Sequence, residues 1–155
     1  MFDKRRQIKK DDFKEKVIDL RRVTRVTKGG KRFRFRVTIV IGDEKGKVGV
    51  GIAKGADVQQ AVQKAKLNAK KALITVPLNG RTIMHEVDAK FSAAKVLVKP
   101  AKEGHGLIAG GAVRIVLSLA GIKDISAKCL GKTTNKLTNA LATIEALKKI
   151  KKTSS

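Results

Sequence analysis

The chain has no tryptophan and no tyrosine, and its large aromatic side chains are limited to five phenylalanines. Its core must therefore be aliphatic, and with 42% apolar residues it has the material for one. A single cysteine, Cys129, excludes an internal disulfide and fits a reducing compartment. It lies in an apolar run after Ile125, where a buried, inert thiol is expected. With one cysteine and two histidines, His85 and His105, no zinc-type ligand set can be assembled. No apolar run approaches the ~18 residues of a membrane-spanning helix. The opening MFDKRRQIKK lacks the apolar stretch of a secretory leader. A membrane-surface protein would need an amphipathic helix with large apolar residues or a lipidation signal, and neither is present.

Acidic residues are scarce as well. Thirteen Asp and Glu stand against thirty-six Lys and Arg, a formal net charge of +23. An enzyme for small metabolites gains nothing from that self-repulsion. A protein whose charge is neutralised by nucleic acid does, so a polyphosphate is the expected partner.

Residues 27–53, TKGGKRFRFRVTIVIGDEKGKVGVGIA, carry the clearest pattern. After the turn Lys28-Gly29-Gly30, arginine alternates with phenylalanine: Arg32, Phe33, Arg34, Phe35, Arg36. Strand side chains alternate faces, so Phe33, Phe35, Val37, Ile39 and Ile41 are expected in a core. Arg32, Arg34 and Arg36 then form a cationic stripe on the opposite face. With the few aromatics turned inward, stacking on single-stranded bases is a poor description of binding.

Along the chain, residues 1–14 lack hydrophobic periodicity and read as a mobile basic arm. A first strand is expected over Val17–Val26, carrying Arg21, Arg22 and Arg25. The second runs from the Gly-Gly turn to Ile41. Gly42-Asp43-Glu44-Lys45-Gly46 is a turn by composition. A third strand, Lys47–Ala53, puts Val48, Val50 and Ile52 on one face. Gly49 and Gly51 leave the other face open to close backbone approach. A helix follows, with Asp57 as N-cap, Gln60 at capping-box spacing, and a stripe of Val58, Val62, Ala65, Ala69 and Ala72. Lys64, Lys66, Lys70 and Lys71 lie off the stripe, open to solvent or to RNA. Ile74–Asn79, with Pro77, reads as a connector between domains. Arg81–Val87 and Lys90–Val98 are expected as paired strands. A glycine-rich loop, residues 103–111, leads into a short helix over Ala112–Leu119, ended by Gly121. A strand over Asp124–Leu130 and a helix over Lys136–Ile150 complete the pattern, before a basic tail.

Three motifs resemble catalytic signatures and fail on inspection. Gly131-Lys132-Thr133-Thr134 sits where a P-loop would, but Ser126 occupies the position of the first glycine. Gly49, Gly51 and Gly55 miss the dinucleotide spacing by one residue, and no suitable acidic residue follows. Glu86 with Asp88, or Asp11 with Asp12, offers paired carboxylates of the kind that hold a metal, but a surface charge or ion pair is the expected meaning. Ala109-Gly110-Gly111-Ala112 at a helix start, with Arg114 in its first turn, offers free N–H groups for a phosphate or simply allows tight packing.

RVTRVTKGGKRFRFRVTIVIGDEKGKVGVGIAKGADVQQAVQKA resembles the N-terminal signature of the small-subunit ribosomal protein S-five family, bacterial type. EGHGLIAGGAVRIVLSLAGIKDI resembles its C-terminal core, and ATIEAL its last helix. The resemblance implies an α+β protein. It has an N-terminal double-stranded-RNA-binding-like domain at 15–76, three strands packed on a helix. A C-terminal α/β domain of the ribosomal protein S-five domain-two type follows at 77–150, then a tail at 151–155. It implies a structural role in cytoplasmic or organellar ribosomes, with no cofactor and no small-molecule substrate. The implied partners are small-subunit ribosomal RNA, ribosomal proteins S-four and S-eight, and messenger RNA at its entrance, where the family affects decoding accuracy. RNA-binding positions are then expected at Arg21, Arg22, Arg25, Lys28, Gly29, Gly30, Lys31, Arg32, Arg34, Arg36, Lys54, Gly110, Gly111 and Arg114. The chain departs from the family pattern at Gly51-Ile52-Ala53, where many members have Gly-Tyr-Gly, and at the turn Gly131–Lys136. The alternatives are a double-stranded-RNA-binding regulator outside the ribosome and an RNA-processing enzyme. The first leaves the second domain unexplained, and the second lacks a catalytic constellation.

Overall fold

A computed structural model describes residues 13–151 of the chain. Most of the expected N-terminal arm, residues 1–12, and residues 152–155 of the tail lie outside the described residues. The elements run β1 (Lys14–Thr27), β2 (Gly30–Gly42), β3 (Lys47–Gly55), α1 (Val58–Lys71), β4 (Ile74–Thr75), β5 (Val87–Phe91), β6 (Ala94–Pro100), β7 (Leu107–Ile108), α2 (Gly111–Leu119), β8 (Ile125–Cys129) and α3 (Lys136–Lys148). They form two sheets, ordered β1-β2-β3-β4 and β5-β6-β8-β7. The result is a two-domain α+β protein: a strand-rich N-terminal domain with one helix, then an α/β domain with two.

The first sheet is covered on both faces over part of its length. On one side, Ile39 and Ile41 of β2 pack with Ala65 and Ala69 of α1. The helix comes close because β3 presents glycines there: a Cβ on Gly51 would run into the carbonyl of Ala65. Backbone approach at Gly49 and Gly51 thus serves helix packing. It also shifts the helix stripe. Ala61, Ala65 and Ala69 are the buried residues of α1, while Val58 is exposed and Val62 half-buried. Only small side chains fit against a glycine-lined strand, so the expected valines fall to the flank. Asp57 stands at the N-cap, but its side chain makes no capping bond. Gln60 Oε1 instead accepts from the N–H of Ala56 at 3.3 Å.

On the opposite side, Val40, Val48, Val50 and Ile18 join one apolar cluster with Val116, Leu119, Ile122 and Leu147 of the second domain. Ile18 is the unpaired residue of a bulge between Val17↔Ile39 and Asp19↔Thr38, which turns its side chain into this cluster. The turn between β2 and β3 completes the junction. Asp43 Oδ1 accepts from the N–H groups of Lys45 and Lys47, both at 2.8 Å. The N–H groups of Glu44 and Gly46 donate to the carbonyls of Leu119 and Ala120, each at 3.0 Å. The first domain therefore caps the C-terminal end of α2 in the second.

In the second domain the expected strand over Arg81–Val87 is absent; β5 starts at Val87. Backbone groups in that segment are engaged elsewhere. Arg81 O accepts from the N–H groups of Lys123 (2.9 Å) and Asp124 (3.1 Å), and Asn79 pairs with Thr82. Ile74–Thr75, expected as connector, pairs with Lys47 and Val48, and the glycine-rich loop contains β7, parallel to β8. Cys129, expected buried, is half-buried near the sheet edge. α2 ends as expected at Gly121, with φ +88°.

Candidate nucleic-acid interface

β1 and β2 are longer than the sheet they belong to. Pairing of β2 with β3 ends at Phe35↔Gly55, whereas β1 and β2 stay paired to Thr27↔Gly30. The last five residues of β2 toward the turn thus form a two-stranded ribbon projecting about 17 Å beyond β3. Such a ribbon has no core of its own and is marginal without a partner.

Register assembles the cations. Arg21, Arg36 and Lys54 form one row across three strands, because Arg21 pairs Arg36 and Arg36 pairs Lys54. Arg25 lies directly opposite Arg32, and Val23 opposite Arg34. All seven residues share the face that, further along the sheet, packs on the second domain. Among the described residues, this part of the face is open at Arg25, Arg32, Arg34 and Lys54 and half-covered at Val23 and Arg36. Val23, Thr24, Arg25, Arg32, Arg34 and Lys54 line a depression of about 210 Å³. The expected stripe of Arg32, Arg34 and Arg36 is therefore a patch widened by Arg21, Arg25 and Lys54.

Directly opposed like charges destabilise a strand pair. Arg21 is relieved by Asp19 at 2.8 Å. Among the described residues no ion pair is made by Arg25, Arg32, Arg34, Arg36 or Lys54. Arg36 is half-buried, and its Nε is shielded from solvent without a hydrogen-bond partner. The face thus concentrates positive charge that no described carboxylate offsets, and a row of cations at sheet spacing has the geometry to meet a chain of phosphates.

The remaining predicted positions fall elsewhere. Lys28 and Gly29 form the tip, Gly30 opens β2, and Lys31 is exposed beside them. Arg22 lies on the other face of the ribbon, its guanidinium 4.6 Å from the centre of the Phe33 ring. Phe33 is 50% exposed and Phe35 half-buried, so neither enters the core. The alternation places both on the α1 side of the sheet, but α1 does not extend far enough to bury them. Gly110, Gly111 and Arg114 are exposed at the start of α2. It is the opposite end of α2 that docks at the β2–β3 turn, and Arg34 is eight residues, about 26 Å, up β2 from Gly42. No described contact joins Arg114 to the arginine face. On α1, Lys66 pairs with Glu15 at 2.8 Å, while Lys64 and Lys71 are exposed.

A second cationic face was not anticipated. Lys90, Lys95, Lys99 and Lys128 are exposed on the side of β5, β6 and β8 opposite the buried Val96 and Val98. The signal was the alternation of Lys95, Val96, Val98 and Lys99. Asp88 and Glu86 belong to this surface as ion pairs, 3.4 Å from Lys95 and Lys99 respectively.

The segment resembling a P-loop is a helix cap. Leu130 N–H donates to Lys95 O at 2.8 Å, closing the strand. Thr133 Oγ1 accepts from the N–H of Asn135 at 3.2 Å, and Asn135 Oδ1 accepts from the N–H of Leu137 at 3.1 Å. The hydroxyl a P-loop would turn toward magnesium is engaged in starting α3, and the amides of Leu130 and Gly131, which would turn toward phosphate, both donate to Lys95 O. Labelled ATP, with or without magnesium, should show no saturable binding, and Lys132→Ala should change nothing. Magnesium-dependent binding abolished by that substitution would contradict this reading of the loop.

A basic two-domain α+β protein with an uncovered arginine sheet face belongs structurally among nucleic-acid-binding proteins. Comparison with known proteins specifies which. Residues 13–77 match the family model for ribosomal protein S5, N-terminal domain, and residues 89–155 match ribosomal protein S5, C-terminal domain. The chain is 50% identical to small ribosomal subunit protein uS5 of Thermotoga neapolitana over 145 residues, 94% of this chain and 81% of that protein. It is 47% identical to uS5c of Emiliania huxleyi, covering 97% of this chain and 98% of the relative. With uS5c of Cyanophora paradoxa it shares 50% identity over 92% of this chain and 85% of the relative. The chain belongs to the ribosomal protein S5 family.

Proposed function

We propose that the chain is a structural constituent of the small ribosomal subunit that binds ribosomal RNA through Arg21, Arg25, Arg32, Arg34, Arg36 and Lys54. The observation that carries this reading is the row of directly opposed cations on a sheet face left open beside the domain junction. Phosphates relieve that repulsion and release counterions. The docked domains let the arginine face and the start of α2, with Gly110, Gly111 and Arg114, fix two RNA segments relative to each other. Family membership supports extending the reading to ribosomal proteins S-four and S-eight as neighbours, and to a place at the messenger-RNA entrance with an effect on decoding accuracy.

The test is stoichiometric cosedimentation of the tagged chain with small subunits through high salt. Recovery only in RNA-free fractions, or with a non-ribosomal RNA, would defeat the proposal. The ribbon tip gives a finer test. Gly29 has no atom within 4 Å of where a Cβ would stand, so Gly29→Val should cost the free protein no more than about 0.5 kcal/mol. On RNA the added bulk should obstruct approach and lower incorporation into subunits. Normal incorporation together with a collapsed melting temperature would make the tip purely structural.

A further inference from the structure

The arginine face accounts for one side of the projecting ribbon. The other side is different in kind. Pairings Leu20↔Val37, Arg22↔Phe35, Thr24↔Phe33 and Val26↔Lys31 place these residues on the face that carries α1 further along. Under the helix that face is sealed: Val37 and Ile39 have no exposure. On the ribbon it is open, with Val26 74%, Phe33 50% and Leu20 48% exposed. The Arg22 guanidinium lies over the Phe33 ring, and Lys31 is exposed nearby. Among the described residues, no acidic residue stands on this face of the ribbon.

We propose that Phe33 and Arg22 form a stacking site for an unpaired base of the bound RNA. The ribbon then holds phosphates on one face and a neighbouring base on the other. This rests on the reading of the chain as an RNA binder, and it reverses the expectation that the phenylalanines are hidden. Aromatic rings and guanidinium planes both accept a nucleobase, and Arg22 and Lys31 are placed for the phosphates flanking it. An apolar protein surface is the poorer occupant. It would bury the Arg22 guanidinium without a counter-charge, which is costly, whereas a nucleotide brings the charge with it. A fully paired helix exposes no ring face along its length, so the base must be unpaired.

The test uses the full-length chain and two RNA hairpins, one with an adenine bulge and one fully paired, read by fluorescence anisotropy. Phe33→Leu should weaken binding to the bulged hairpin roughly 5- to 150-fold. Binding to the paired hairpin and the salt dependence of both should be unchanged. Phe33→Tyr, which keeps the ring, should restore affinity. With 2-aminopurine in the bulge, the wild-type chain should quench its fluorescence and the Phe33→Leu variant should not. Circular dichroism melts of the variants verify that they fold. Equal losses on both RNAs, or no loss, would overturn the stacking site while leaving the RNA-binding function standing. So would lost subunit incorporation with RNA affinity intact, which would assign the face to a protein. Failure of the wild-type chain to bind either hairpin would defeat both readings.

Discussion

Gly121→Ala should lower the stability of the protein by about 3–6 kcal/mol, the largest loss expected from a single methyl group in this chain. Three effects combine. At φ +88° an alanine is strained, costing about 1–2 kcal/mol. Its Cβ would run into the carbonyl of Glu44, and overpacking of a closed junction costs about 1–3 kcal/mol. Relief requires the β2–β3 turn to retreat, which endangers the bonds from Glu44 and Gly46 N–H to Leu119 O and Ala120 O, each contributing about 1 kcal/mol. At roughly 2–4 °C per kcal/mol for a chain of this size, the melting temperature should fall by about 6–24 °C. Gly104 is the matched control: its φ is +87°, but nothing lies within 4 Å of its would-be Cβ. Gly104→Ala should therefore cost only the strain. Equal melting temperatures for the two variants would show that the junction is not tightly packed.

If the arginine face binds RNA as proposed, the junction matters because it orients that face. Val40, Val48 and Val50 lie on the same side of the sheet as Arg32, Arg34 and Arg36. Burying the valines against the second domain fixes which way the arginines point. A variant that loosens the junction should keep its local phosphate contacts while losing the geometry that relates them to the start of α2. On the proposed reading, the fold would supply the directional part of recognition and the cations its strength.

Local chemistry made much of this legible in the sequence. The period of two through residues 31–41 separated arginines from apolar residues, and the Gly-rich third strand announced a close backbone approach, though not that the helix makes it. What the sequence could not convey was extent. Phe33 and Val37 follow the same alternation and face the same side, yet one is half exposed and the other sealed. The difference is where α1 ends in space, a tertiary fact. The absent strand over Arg81–Val87 has a similar origin. Its alternation was real, but Arg81 O is claimed by the amides of Lys123 and Asp124, some forty residues away in the chain. Asp124 holds the same loop from the other side. Its carboxylate is almost fully buried, accepts from Gly106 N–H at 2.9 Å, and lies 2.9 Å from Arg81 Nε as an ion pair off the N–H direction. Nothing in a lone aspartate before an apolar run foretells that.

Replacing Arg32 and Arg34 together by glutamine should separate binding from folding more sharply than any other change. Both side chains are exposed, and neither makes an ion pair among the described residues, so the fold loses no contact. Removing Arg32 also removes its direct opposition to Arg25, so the free protein should melt at the same temperature or slightly above wild type. Binding should move the other way. Each phosphate contact on duplex RNA contributes about 0.9 to the slope of log affinity against log salt, so the double variant should lose about 1.8 from it. At 0.15 M salt that corresponds to roughly 30-fold weaker binding. Fluorescence titrations of a paired RNA hairpin at several salt concentrations give slope and affinity together. An unchanged slope would mean these arginines do not touch phosphate, and the open sheet face would need another partner. A reduced slope with a slightly raised melting temperature would mean that the opposition of Arg25 and Arg32 in the free protein is held in place by the sheet for the sake of the RNA.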